Sequence, residues 1–237
     1  MEPVWRRRGG GRKYPLTVDR RAAVATILLL AALAGCNTAK RFGPGALPLR
    51  AASANDFAVE VEFASPLARA SAGEASRFTV LEEGNPAAPV AIYSAELADT
   101  IFGRVVLLLL SGGPLNDGAR YVVRASGVRD VFGVVQPDAE AEFRAGLRYG
   151  ADLAPLLAEH CNDCHGPTRA DGAYHTDALT SLLGTGTDSI PNLIAGNPNC
   201  ALVHRTRPIR SMYDKGMLSP LDADIIRNWV VSYQARP

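Results

Sequence analysis

Cys161-Asn162-Asp163-Cys164-His165 is the stretch of this sequence whose residue types and spacing promise the most chemistry. Two thiols three positions apart share one side of a helical turn. C-x-x-C-H is the pattern of covalent haem attachment: each thiol can form a thioether to a vinyl group, and the adjacent imidazole reaches the iron. Two other chemistries use thiols at this spacing. Cys161 and Cys164 together with Cys200 and His204 offer zinc-ligand spacings. Alone, Cys161 and Cys164 could form the disulfide of a redox thiol protein. Neither alternative explains why His165 follows directly, and no thioredoxin-like βαβ pattern surrounds the pair.

The elements that must position this motif can be read on either side of it. Leu153, Leu156, Leu157 and His160 have helical spacing, with Pro155 in a first turn where proline is tolerated. A second helix opens at Leu218-Ser219-Pro220-Leu221-Asp222. Ser219 is a good N-cap, Pro220 suits the first helical position, and Asp222 can close a capping box. Leu221, Ile225, Trp229 and Val230 follow on one face.

Residues 51–146 read differently. Phe57, Val59, Val61 and Phe63 alternate with Ala58, Glu60 and Glu62, the period of a half-buried strand. Further strands are expected at 78–81, 90–95, 104–110, 121–125 and 139–145, separated by Gly-, Asn- and Pro-rich turns. The run from Val105 to Leu110 is apolar throughout, as in a strand buried on both faces. The carboxylates Glu60, Glu62, Glu82 and Glu83 read as solvated strand and loop residues. This stretch has no histidine or cysteine and no catalytic constellation.

The chain has 237 residues, 47% hydrophobic and 21% charged, which argues against disorder, collagen and a multi-pass membrane protein. Its formal charge of +1 is uneven. Arg6, Arg7, Arg8, Arg12, Lys13, Arg20 and Arg21 precede Cys36, and the remainder is net acidic. No basic footprint for nucleic acid remains. A basic region, an apolar run over 22–34 and the small residues before Cys36 form an export signal. Residues 37–50, with Gly43, Pro44, Gly45 and Pro48, read as a tether.

Several family resemblances gather on these residues. Leu33-Ala34-Gly35-Cys36 resembles the lipobox of bacterial lipoproteins, which implies cleavage before Cys36 and a lipid on its thiol. Leu115-Asn116-Asp117-Gly118-Ala119-Arg120-Tyr121 resembles the tyrosine corner of immunoglobulin-like sandwiches. Val128-Arg129-Asp130-Val131-Phe132-Gly133 resembles the close of bacterial Ig-like domains of the surface-layer, SbsA type. The stretches 155–166, 196–198, 211–212, 218–220 and 226–230 look like a single-haem cytochrome c domain. That resemblance implies a methionine as sixth iron ligand. Met212 is the first candidate, with Tyr213 standing where the family has proline, and Met217 is the reserve. His175 and His204 are further options.

These readings combine into an expected architecture and function. The architecture is a multidomain chain: a signal peptide over 1–36, a tether over 37–50, an all-β Ig-like sandwich over 51–146 and an all-α cytochrome c domain over 147–237. The function is that of an electron carrier rather than an enzyme with its own substrate. It would hold one covalent haem c through Cys161, Cys164, His165 and Met212 and serve redox partner proteins. A lipid on Cys36 would anchor it in the bacterial envelope, on the periplasmic or surface side. The alternatives are a structural or adhesive surface lipoprotein with an accessory haem, and a haem sensor of small gases.

Overall fold

Val59, Val61 and Phe63 point from one strand into the space between two antiparallel sheets, and this alternation sets the fold. The computed structural model describes residues 49–237. The lipidation candidate Cys36, the signal sequence and most of the tether lie outside these residues. One sheet runs in the order β1 (Arg50–Asn55), β2 (Ala58–Glu62), β6 (Val105–Leu110), β5 (Ile92–Leu97). The other runs β4 (Asn85–Val90), β3 (Phe78–Glu82), β7 (Arg120–Ala125), β8 (Ala139–Arg144). With β1 as strand A, these orders are A-B-E-D and C′-C-F-G, the immunoglobulin topology. Val59, Val61, Val80, Val106, Leu108 and Val123 are fully excluded from solvent between the sheets. Phe63 meets Phe78 edge-on and Tyr121 stacks on Phe143, adding aromatic packing to area burial.

The tyrosine corner forms. Asn116 N–H donates to the Tyr121 hydroxyl at 2.9 Å, bridging the loop to the start of strand F. Tyr121→Phe removes this acceptor and leaves a part-buried amide unpaired. A loss of about 1–2 kcal/mol is expected, read as a lower urea midpoint with unchanged slope. An unchanged midpoint would show that the corner is packing alone.

Two strands depart from the sequence reading. β1 begins at Arg50 and pairs in register with β2, so the sheet starts where the tether was expected to end. β4 occupies the Asn85 turn region and is an edge strand bonded only to β3, which is where Pro89 can be accommodated. Phe57 lies in the β1–β2 turn and is exposed.

The expected all-α C-terminal domain is not found. Among the described residues two antiparallel sheets dominate, and the C-terminal part is a set of short helices joined by irregular chain. These are α2 (Ala154–His160), α3 (Asn162–His165), α4 (Leu179–Leu182), α5 (Ala201–Thr206), α6 (Ser211–Lys215) and α7 (Pro220–Val231), after the short α1 (Arg69–Ala72) in the sandwich. Only α7 exceeds seven residues. Gly166, Gly172, Gly184, Gly186, Pro191, Gly196 and Pro198 keep helices between α3 and α5 from extending beyond the one turn of α4. A two-residue strand, Arg169–Ala170, and isolated bridges such as Thr185 to Pro191 take the place of longer helices.

α2 and α7 form as their local signals dictate. The Ser219 hydroxyl accepts from Asp222 N–H at 3.1 Å, and the Asp222 carboxylate accepts from Ser219 N–H at 2.9 Å. Leu153, Leu157, Leu182, Ile226, Trp229 and Val230 build a second apolar core.

The polar side of α7 covers the outer face of the first sheet. Glu60 and Glu62 are therefore buried, at 6% and 3% exposure, not solvated. Asn228 Nδ2 donates to Glu60 at 2.8 Å. Glu62 accepts from Ser219 Oγ at 2.9 Å, Arg104 Nη2 at 3.1 Å and Arg50 Nη1 at 3.3 Å. Arg50 also pairs with Asp222. Burial pushes the Asp222 carboxyl up, but Arg50 and Ser219 outweigh it and hold the group below its usual range. The described residues form one compact unit through this polar seam.

Candidate functional site

α2 delivers the motif. Leu156 and Leu157 are buried, and Cys161 N–H closes the helix on Leu157 O at 2.9 Å. Cys164 and His165 N–H both donate to Cys161 O, at 3.1 and 2.9 Å, so the five residues make one tight turn. Both thiols are half-buried and free. Burial, with Cys164 beside it, pushes the Cys161 thiol up to about 11, so it is neutral at physiological pH. Gly166 is dictated by space: a Cβ there would stand 2.4 Å from Asn162 O. The chain folds back beyond it, with bridges from His165 to Ala170 and from Gly166 to Arg169.

The loop at Tyr174 orients His165. The imidazole Nδ1 lies 3.1 Å from Tyr174 O. A carbonyl can only accept, so Nδ1 is the donor, which in the neutral ring leaves the lone pair on Nε2. This is how proteins hold a histidine whose other nitrogen binds a metal. The Tyr174 ring sits edge-on to the imidazole at 5.3 Å. Thr176 fixes the same loop, donating from N to His165 O at 2.7 Å and from Oγ1 to Asn162 Oδ1 at 2.8 Å.

The methionine segment is tied to the motif at its base. His160, one residue before Cys161, bonds through Nδ1 to Gly216 O at 2.7 Å. His160 Nε2 lies 3.9 Å from Asp222, so the ring links α2, the α6–α7 turn and α7. Met212 is half-buried on α6, while Met217 is 69% exposed with φ +52°. Of the two, Met212 has the sheltered side chain. Tyr213 stacks on Phe102 of the sandwich at 5.8 Å, pinning α6. Lys215 and His165 both act on Asp171, although Arg169 is the main reason its carboxyl is lowered.

The rival zinc ligands are dispersed. Cys200 is buried at the start of α5 and His204 is exposed on it. His175 lies beside Asp177 at 3.8 Å. Among the described residues, no group of three or more His, Cys, Asp or Glu side chains converges on a metal position.

A haem group fits the donor set. Two thiols on one turn, an imidazole with a free Nε2 and a thioether on the segment bonded to His160 are the ligand types it needs. The hydroxyl of Tyr174, whose ring meets His165, is buried without a hydrogen-bond partner, and a group with a polar periphery would satisfy it. Burial pushes the Tyr174 phenol up, with the thiols of Cys200 and Cys161 adding to the effect. Sequence reasoning placed His160 on the helix before the motif but missed its bond to Gly216 O, and it missed Tyr174. Both contacts end on backbone carbonyls, which leave no residue pattern.

No protein-family model matches the chain, and no curated protein is similar to it in sequence. Among solved structures, the chain is similar to domains 1–6 of surface layer protein SbsC, with 23% identity and a TM-score of 0.37 over 41% of this chain and 14% of that one. It is similar also to the N-terminal part of the bacterial S-layer protein SbsC, with 22% identity and a TM-score of 0.37 over 42% of this chain and 24% of the other. The chain thus spans less than a quarter of the length of these proteins.

Proposed function

We propose that this chain is an exported, lipid-anchored haem c protein that carries single electrons to and from partner proteins in the bacterial envelope. The observation that carries the reading is the C-x-x-C-H turn, with His165 held through Nδ1 by the Tyr174 carbonyl. Cys161 and Cys164 would hold the porphyrin, and His165 and Met212 would bind its iron, with Met217 in reserve. A haem with histidine and methionine ligands supplies a one-electron couple at a raised potential. The chain's own part is orientation. Tyr174 O fixes the imidazole, Gly166 allows the close turn, and the bond from His160 to Gly216 ties the methionine segment to the helix that leads into the motif. The site sits on short helices bonded to a sandwich, so the carrier is built without an all-α domain.

A second reading is a structural or adhesive surface lipoprotein, with any haem accessory. The observation in its favour is the seam between Glu60, Glu62 and α7, which joins the motif-bearing part to an Ig-type sandwich as one unit. Among the described residues, no helix is long and apolar enough to cross a membrane.

The test is to express the chain in a host that matures c-type cytochromes. A haem-stained denaturing gel and oxidised and reduced spectra are then compared across variants. The expected result is covalent haem in the parent and none in Cys161→Ser/Cys164→Ser. His165→Ala should keep the stain and lose the low-spin reduced spectrum, and Met212→Ala should lose the iron–sulfur band. A parent without haem after competent maturation would overturn the carrier and leave the structural reading.

A further inference from the structure

The sandwich end that receives the chain from its N-terminal side carries an apolar loop with no folding task. β1 starts at Arg50, paired with Glu62 at the finish of β2. At that same end Leu67 N–H donates to Gly103 O at 2.7 Å, and Val131 N–H donates to Pro66 O at 3.0 Å. The loops around residues 101 and 132 are therefore neighbours of the strand at which the chain enters. Phe132 is 86% exposed, and Val131, Val134, Val135 and Ile101 are about half exposed or more.

The loop is held in this state. The buried Asp130 carboxylate accepts from Phe132 N and Val134 N at 2.9 Å each and from Gln136 Nε2 at 3.3 Å. Gly133, at φ +82°, permits the turn at the tip. A backbone pinned by a buried carboxylate, with four apolar side chains turned outward, presents a surface to something. Its flanks are basic. Arg129 Nη1 donates to Gly133 O at 2.9 Å, and exposed Arg69 stands on α1, whose Ser71 Oγ receives Arg129 N–H at 2.9 Å. The carboxylates on these loops accept backbone amides: Asp130 as above, Asp99 from Ile101, Phe102 and Arg104, and exposed Asp138 from Gly127 N–H at 3.3 Å.

We propose that the loop 131–135, with Ile101 beside it and Arg69 and Arg129 at its rim, inserts into the anionic bilayer that holds the lipid on Cys36. The inference rests on the lipid-anchor reading. The 13 residues between Cys36 and β1 could reach at most roughly 45 Å when fully extended. Such a span attaches at the loop's own end of the sandwich, so it presents this end to the bilayer at high effective concentration. Weak insertion of a few apolar side chains, with basic residues at the headgroups, then suffices. Docking in this way turns the start of α7 toward the same side, because Ser219 lies beside Arg50 at 3.0 Å. The exposed Met217 just before it would face partners in the membrane.

The test uses the full chain, matured in cells and reconstituted in vesicles of phosphatidylethanolamine and phosphatidylglycerol. Phe132→Trp places a reporter at the tip, and fully buried Trp229 serves as internal reference. Emission is compared between vesicles with brominated and unbrominated acyl chains. At least twofold quenching in Phe132→Trp, abolished by adding Val134→Asp, is expected. A protein that floats with the vesicles yet shows no quenching overturns the loop proposal and leaves the anchor standing. A protein that fails to float overturns the anchor, and the proposal falls with it. A concentration-dependent dimer in detergent that Phe132→Ser dissolves would assign the loop to a second copy instead.

Discussion

Replacing Arg104 by methionine is expected to cost about 2–4 kcal/mol at pH 8, and much of that loss should return when Glu62→Leu is added. Arg104 is buried beside Glu62, itself only 3% exposed. Its Nη2 donates to Glu62 at 3.1 Å and its Nε to Phe63 O at 2.9 Å. Burial already pushes the Glu62 carboxyl up, and Arg104 is the largest influence holding it down, ahead of Ser219 and Arg50. Without Arg104 the carboxylate keeps its desolvation cost and loses its best partner. The folded-state pKa of Glu62 then rises further above its unfolded value. The cost must therefore shrink as pH falls and Glu62 takes up a proton, and grow as pH rises. Removing the carboxylate as well removes the uncompensated charge. Urea unfolding of both single variants and the double at pH 5 and pH 8 checks this. Additive single losses, or a cost that does not change with pH, would contradict a charge left unpaired in the seam.

This seam marks where the sequence was and was not legible. Alternation of Val59, Val61 and Phe63 with Glu60 and Glu62 gave the strand and the core-facing side correctly. It also made the glutamates look solvated, because a Glu on the outer face of an antiparallel strand usually meets water. What covers them lies some 160 residues away in α7, and no local pattern records a contact at that separation. The α7 boundary itself was legible, since Ser219, Pro220 and Asp222 act within one turn. The strands with β-branched or aromatic runs were legible for the same reason. β1, an alanine- and serine-rich stretch, and β4, beside Pro89, form because neighbouring strands supply their partners.

The candidate site divides in the same way. Cys161, Cys164 and His165 are contiguous, so the expectation of haem attachment could be drawn from the sequence alone. The support for His165 comes from the Tyr174 carbonyl, and a carbonyl has no sequence signature. The all-α expectation failed because helix-like landmarks at 153–160 and 219–230 were extended across a glycine- and proline-rich middle. There the chain folds into short turns around Leu182, Leu193 and Leu202 instead. A local motif therefore does not fix the architecture that carries it.

Glu60→Gln is expected to flatten the pH dependence of stability and to make the protein more stable than the parent at alkaline pH. Burial is the main cause that pushes Glu60 up to about 8. Asp224 adds to it, while Arg227 and the hydrogen bond from Asn228 partly oppose it. Asp224 is pushed up to about 6, first by burial, with Asp99 and Glu62 adding and Arg227 opposing. In the unfolded chain both carboxyls titrate near their ordinary values, about 4. Between that range and pH 8 the folded protein keeps a proton on Glu60 that the unfolded chain has lost. Stability from this group is therefore complete at low pH and falls as pH rises, by at most about 1.4 kcal/mol per pH unit. The glutamine amide would stay neutral at every pH, and its oxygen would still accept from Asn228. A gain of about 2–3 kcal/mol over the parent at pH 9, and little difference at pH 4, should appear in urea unfolding followed by Trp229 fluorescence. Parallel curves for the two proteins would mean that Glu60 titrates normally. Because Glu60 faces α7, which is packed into the core behind the C-x-x-C-H turn, the seam should loosen first when the pH is raised. Amide exchange in α7 should then quicken between pH 6 and pH 9, beyond the intrinsic pH effect, in the parent and not in Glu60→Gln.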